Sequence, residues 1–267
     1  MHLYRWLTSI VAAPLLVYIV FSGSRRIFYA LLFAASVKGL LEVFHLIAPQ
    51  LPSVFKIIGI ILNFFFFYFL WQGLFYQAFA MVCLWVIIPL SFCLFSSPTV
   101  RGQAAGVTGS LVMAFLYICL PLGLLVVIDR HPKGNLWILF LLTVIFISDT
   151  GAFYFGRFFG KRKLYPSVSP NKTWAGAVGG LLVGVLSGLF FSYLFRLGGF
   201  PLQVGLLAGS LSICGQVGDL VESMIKRNAG VKDTGRILPG HGGILDRVDG
   251  VLFASPLLYL YISWFTP

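Results

Sequence analysis

Residues 136–155 read LWILFLLTVIFISDTGAFYF, twenty positions in which Asp149 carries the single formal charge. A twenty-residue α-helix rises about 30 Å, the thickness of a bilayer's hydrocarbon core, where each backbone amide must be satisfied within its own segment. The stretch therefore predicts a membrane-spanning helix. Eight further stretches pass the same test: Leu3–Phe21, Ile27–Ile47, Phe55–Trp71, Phe75–Phe95, Gly106–Val127, Ala175–Phe195, Val204–Ile225 and Ile244–Trp264. Together they predict an all-α polytopic transmembrane bundle of about nine spanning helices, a single integral membrane domain over residues 1–267.

Composition agrees with that reading. The chain is 59% hydrophobic and 10% charged, whereas soluble domains average roughly 45–50% apolar and about 25% charged. Its net charge of +11 comes from no basic block on a polar surface, so membrane topology accounts for it and nucleic acid is not an expected partner. Cys83, Cys93, Cys119 and Cys214 all fall in apolar stretches without a CxxC pair and read as small buried hydrophobes. Arg5 precedes an apolar run that lacks a cleavage site and is interrupted at Pro14, which reads as an uncleaved first helix.

Cations orient the bundle. Nine crossings put the N-terminus on the side that carries Arg5, Lys56, Arg101, Arg157, Lys161, Arg162, Lys163, Lys172, Lys226, Arg227, Lys232, Arg236 and Arg247. Arg25, Arg26, Arg130, Lys133 and Arg196 fall on the other side. The excess of Lys and Arg predicts a cytoplasmic N-terminus and a C-terminus outside. Gly176, Gly180, Gly184 and Gly188 recur every fourth residue along the seventh span, a stripe that lets a neighbouring backbone approach, within the bundle or at a dimer contact.

The acids point to chemistry. A carboxylate at mid-membrane costs roughly 2.5–3.5 kcal/mol on insertion scales, and six of the eight acids lie in or near helices at ends expected to face the cytoplasm: Glu42, Asp149, Asp219, Glu222, Asp246 and Asp249. Asp219, Glu222, Ser223 and Lys226 follow i, i+3, i+4, i+7 spacing and share a helix face, as do Asp246 and Asp249 on the next span. A tight connection makes the two spans antiparallel neighbours, so Asp219 is expected to face Asp246 and Asp249. Such a cluster repels itself unless compensated, and Mg²⁺ with substrate phosphates is one answer. An ion-pair network that only orders the loops is the other. Glu42 and Glu222 are left without an assigned role.

The segment 226–243 supplies the complementary half: Lys226, Arg227, Lys232 and Arg236, then Pro239-Gly240-His241-Gly242-Gly243 before a helix start. Glycines let backbone N–H groups approach an anion, and a helix N-terminus adds favourable partial charge, so the segment reads as a phosphate cradle. After the sixth span come Arg157, Lys161, Arg162 and Lys163, then Ser169-Pro170-Asn171-Lys172-Thr173. There Ser169, Asn171 and Thr173 are candidate caps of the seventh helix, and Lys172 suits a second phosphate.

Residues 223–249, SMIKRNAGVKDTGRILPGHGGILDRVD, closely resemble the signature of the phosphatidate cytidylyltransferases, or CDP-diacylglycerol synthases. The stretches 148–152 and 169–173 resemble that family's second conserved block. At motif level the resemblance covers residues 135–267, the half that carries the candidate chemistry; residues 1–130 match only in hydropathy and span count and are expected to be scaffold, with a dimer contact among their roles. The resemblance implies transfer of a cytidylyl group from CTP to phosphatidate, giving CDP-diacylglycerol and pyrophosphate at the cytoplasmic face. It also implies a Mg²⁺ requirement, with a second cation left open, a homodimer, and a home in the bacterial cytoplasmic (inner) membrane.

On that basis Asp219, Asp246 and Asp249 are expected to bind metal. Lys226, Arg227, Lys232, Arg236, His241 and Arg247 go with the phosphates, alongside Ser223, Gly242 and Gly243; Asp149, Ser169, Asn171, Lys172 and Thr173 surround the substrates. Lys226 and His241 join the aspartates as catalytic candidates, His241 as a hydrogen-bonding group or as an acid for the leaving pyrophosphate. Two other readings compete: a CTP-dependent polyprenol or phytol kinase, and an ion or solute transporter. Transporters favour repeated halves and broken helices at the midplane, whereas these acids gather at one end.

Overall fold

The computed structural model describes residues 14–21, 25–235 and 242–265. The first expected span, Leu3–Phe21, therefore lies largely outside the described residues, although 14–21 are helical. Eight long helices come after it: α1 (Arg25–Ile47), α2 (Ser53–Gln72), α3 (Phe75–Leu94), α4 (Ala104–Asp129), α5 (Gly134–Phe159), α6 (Trp174–Phe195), α7 (Pro201–Asn228) and α8 (Leu245–Phe265). All eight are long and apolar enough to cross a membrane, and they match the second to ninth expected spans. The fold is an all-α polytopic membrane bundle. Phe79, Leu186, Phe190 and Tyr193 project from it largely exposed, a surface suited to lipid rather than water.

Small residues bring the helices of the C-terminal half together. A Cβ at Gly176 would lie 2.7 Å from the Ala152 carbonyl and one at Gly180 2.8 Å from that of Ser148, both on α5. At Gly188 a Cβ would lie 2.6 Å from Ala208 Cβ on α7. The glycine stripe is thus spent inside the bundle, against α5 and α7. The Ser148 and Ser212 hydroxyls bond at 2.6 Å where these helices meet, and Gly218 admits the backbone of α8, its notional Cβ only 2.5 Å from the Asp249 carbonyl. The N-terminal half packs on aromatic rings instead, with Phe115 stacked on Trp85 at 4.7 Å and edge-on to Phe66 at 5.1 Å.

One connection departs from expectation. Between α5 and α6, β1 (Lys163–Tyr165) pairs antiparallel with β2 (Ser169–Thr173), Lys163 opposite Thr173 and Tyr165 opposite Ser169. Of the three expected caps only Thr173 serves, its Oγ1 accepting from Gly176 N at 3.1 Å. Ser169 and Asn171 are strand residues, because the hairpin's ladder takes the backbone that capping would have used.

Helix ends assort as the crossing pattern requires. Glu42 of α1 meets the segment between α7 and α8, and Lys172 of β2 meets Asp219 of α7, so these ends share one side. At the other, Asp129 accepts from Tyr29 at 2.9 Å and pairs with Arg25 at 3.3 Å, and Lys133 donates to the Arg196 carbonyl at 2.6 Å.

Candidate active site

Helical spacing sets Asp219 and Glu222 one turn apart on α7, and Asp249 reaches them from α8 across the close contact at Gly218. One carboxylate oxygen from each of Asp219, Glu222 and Asp249 lies within 4.8 Å of the other two. Glu222 is 1% exposed; its Oε2 accepts from Lys226 at 2.6 Å, while its buried Oε1 has no hydrogen-bond partner among the described residues. Asp249 Oδ1 accepts from Gly250 N at 2.8 Å. Lys172, from the hairpin, sits 2.6 Å from Asp219 Oδ2.

The third aspartate is engaged elsewhere. The sequence predicts a trio of Asp219, Asp246 and Asp249; the structure brings Glu222 to the first and last, and turns Asp246 toward the segment before α8. Lys226 Nζ bridges Glu222 Oε2 and Asp246 Oδ1, 2.6 Å from each. Asp246 Oδ2 accepts from Thr234 N at 3.0 Å and Gly243 N at 2.8 Å, and shares the single Thr234 hydroxyl proton with Glu42, Oγ1 lying 2.8 Å from Asp246 Oδ2 and 3.1 Å from Glu42 Oε2. The reason is local: Asp246 lies in the first turn of α8, beside the Thr234 and Gly243 amides that no helix satisfies, whereas Asp249 is one turn deeper, where Gly218 brings α7 against it.

Glu42 completes this second cluster. Though buried in α1, it accepts from Ile244 N at 3.1 Å, Leu245 N at 2.9 Å and Thr234 Oγ1 at 3.1 Å. A carboxylate from the N-terminal half thus caps the helix that carries Asp246 and Asp249, satisfying donors that would otherwise stand unpaired in a low-dielectric interior. Two glycines make room. Gly242 has φ +77°, and a Cβ there would fall 2.5 Å from Asp246 Oδ2; one at Gly243 would fall 2.5 Å from Glu42 Oε2.

The remaining candidates sort by position. Asp149 is exposed on α5, within range of the charges of Asp219, Asp249 and Lys172. Ser223 is half-buried on α7, and Arg227, Lys232 and Arg247 are exposed. Thr173 is buried as a helix cap, Ser169 is half-buried and Asn171 exposed on β2. Arg236 and His241 lie outside the described residues. Sequence reasoning leaves out Glu222 and Glu42. The i, i+3 spacing from Asp219 signals the first, while nothing near Glu42 in sequence points to residues 234–245.

A sequence model of the cytidylyltransferase family matches residues 3–265. Among curated relatives, the phosphatidate cytidylyltransferase of Brucella suis biovar 1 (strain 1330) is 50% identical over 132 residues, 49% of this chain and 48% of that protein. The phosphatidate cytidylyltransferase of Staphylococcus aureus (strain COL) is 44% identical over 144 residues, 53% of this chain and 54% of that one. By these alignments the chain spans about half the length of the curated relatives it matches.

Proposed function

We propose, because the chain belongs to the cytidylyltransferase family, that it transfers a cytidylyl group from CTP to phosphatidate, releasing CDP-diacylglycerol and pyrophosphate. The observation that carries the reading is the meeting of three carboxylates from two helices, with Lys172 paired to Asp219 and Lys226 joining Glu222 to Asp246. The names of the relatives, phosphatidate cytidylyltransferases, support the choice of substrates.

The donor set suits Mg²⁺. Asp219, Glu222 and Asp249 offer hard oxygen ligands from helices, and Glu222 Oε1 is a buried acceptor without a donor among the described residues, the combination a small dication satisfies. When bound there, the ion would neutralise charge on the triphosphate. Asp246 then serves by position: with Lys226 and Glu42 it holds Thr234 and Gly243, and through them the segment that leads into α8.

In the reaction, a phosphate oxygen of the lipid attacks the α-phosphorus of CTP while the bond to the β-phosphate oxygen breaks and pyrophosphate departs. The attacking oxygen is already anionic, so no strong base is needed; alignment and charge stabilisation supply the rate. Lys172 is placed to hold Asp219 and a phosphate together. The exposed Arg227, Lys232 and Arg247 suit the triphosphate and the lipid headgroup, with Arg236, His241 and Ser223 assigned there from the signature.

The cation excess supports a topology with this end in the cytoplasm and the C-terminus outside, and a bacterial inner membrane is part of the same proposal. A homodimer is part of the proposal as well, and because the Gly176–Gly188 stripe is occupied within the bundle, its contact must lie on another face. A detergent assay with CTP, phosphatidate and Mg²⁺, each omitted in turn, tests the reading. Pyrophosphate and a liponucleotide are expected; CDP as product would replace it with a lipid kinase, and no dependence on CTP would end it.

A further inference from the structure

We propose that Tyr117 is a positioning residue of the carboxylate site, its hydroxyl donating to a ligand oxygen held between Glu222 and Asp249. The inference rests on the metal-assisted reading above and adds to it a group from the N-terminal half.

Residues Phe115–Cys119 form a π-helical turn within α4, with the Leu120 amide reaching back to the Phe115 carbonyl. Its cause lies in the sequence. Pro121 has no N–H to give the Tyr117 carbonyl, and its ring crowds that same carbonyl, so the helix widens just upstream. An extra residue in a turn rotates the downstream side chains relative to the regular helix, and Tyr117 is the polar side chain at the turn's centre.

Its ring packs edge-on against Phe253 of α8 at 6.0 Å, one turn beyond Asp249. The hydroxyl lies near enough to Glu222 and Asp249 for both carboxylates to act on it electrostatically. Yet it bonds to neither: the hydroxyl oxygen is buried and has no hydrogen-bond partner among the described residues. A ring needed only for packing would be better served by phenylalanine, since a buried hydroxyl left unpaired destabilises the fold. Glu222 Oε1, on the carboxylate that acts on it, is likewise buried and unpartnered. A carboxylate acceptor and a hydroxyl donor, each unpaired among the described residues, suit a cation that the carboxylate would hold and an oxygen on that cation that would accept from the hydroxyl. That oxygen belongs either to water on the cation or to the triphosphate of CTP.

Tyr117→Phe keeps the contact with Phe253 and removes only the hydroxyl. Mn²⁺ binding, measured by electron paramagnetic resonance on the purified full chain, should weaken roughly tenfold, the size of one hydrogen bond to a charged group. Weakening without nucleotide assigns the oxygen to water. Weakening only with a non-hydrolysable CTP analogue assigns it to the triphosphate. Melting of the metal-free protein should be unchanged or slightly raised, because an unpaired polar group has gone. Unaltered Mn²⁺ affinity in both arms overturns the proposal, as does a wild-type chain that binds no Mn²⁺. If the wild type binds Mn²⁺ yet makes no liponucleotide, the assigned reaction fails while a weakened Tyr117→Phe still upholds the placement of Tyr117.

Discussion

Thr234 donates its hydroxyl to Glu42 across 192 residues of sequence, Oγ1 to Oε2 at 3.1 Å. The same carboxylate accepts from two backbone amides at the start of α8, so one buried side chain from the N-terminal half ties Thr234 to the start of the helix that carries Asp246 and Asp249.

Glu42→Gln should release that segment without unfolding the bundle. Each bond to the charged carboxylate is worth roughly 1.5–3 kcal/mol, and the amide keeps one acceptor oxygen. Turnover is expected to fall about tenfold to a hundredfold, with helix content by circular dichroism intact and proteolysis at 229–244 faster. Wild-type cleavage rates together with wild-type turnover would show that the contact positions nothing.

Asp249→Asn and Asp246→Asn should fail differently. Both are expected to lose activity by about a hundredfold or more, the scale of a lost electrostatic contact at a reacting centre. Only the first should weaken Mn²⁺ binding strongly, because Asp249 belongs to the carboxylate trio. The second should loosen residues 234–243, since Asp246 Oδ2 holds Thr234 and Gly243. Paired metal titration and proteolysis would check this; equal loss of metal affinity would return Asp246 to the ligand set.

Chelation should stop the reaction and lower the melting temperature. A dication bound only by the folded chain, present at a hundred times its dissociation constant, adds about 2.7 kcal/mol of stability. Activity should return on adding Mg²⁺, and a thermal-shift titration in detergent reads the stabilisation directly. A melting curve indifferent to EDTA and Mg²⁺ would count against a resident ion.

Two glycine substitutions should separate tight from loose packing. A methyl at Gly180 would press on the Ser148 carbonyl at 2.8 Å, whereas one at Gly205 meets nothing nearer than Leu189 at 3.7 Å. Gly180→Ala is expected to cost about 1–3 kcal/mol through overpacking. Gly205→Ala should be neutral or stabilising by up to about 1 kcal/mol from helix propensity. Melting of the two proteins in the same detergent decides it.

Much of this protein is legible in local sequence. Eight spans fall within a few residues of where hydropathy puts them, because a bilayer demands a continuous apolar run and leaves the backbone no alternative to the helix. Asp219 and Glu222 share a face through helical period alone, and the motif at 223–249 points to the family. Pairings over long separations are a different matter. The hairpin at 163–173 escapes a local reading because capping residues and strand residues overlap in type, so Ser169 and Asn171 read equally well as caps.

The sequence by itself determined that the chain is a helical membrane protein with six of its eight acids gathered toward one end. Only the tertiary structure decided which carboxylates meet. Asp246 turns to the amides of Thr234 and Gly243 ahead of its helix, Glu222 takes the place beside Asp219 and Asp249, and Glu42 arrives from α1 to take the amides of the helix start. Period and hydropathy are properties of one segment; the partner of a buried charge depends on which donors neighbouring helices leave unsatisfied once they have packed.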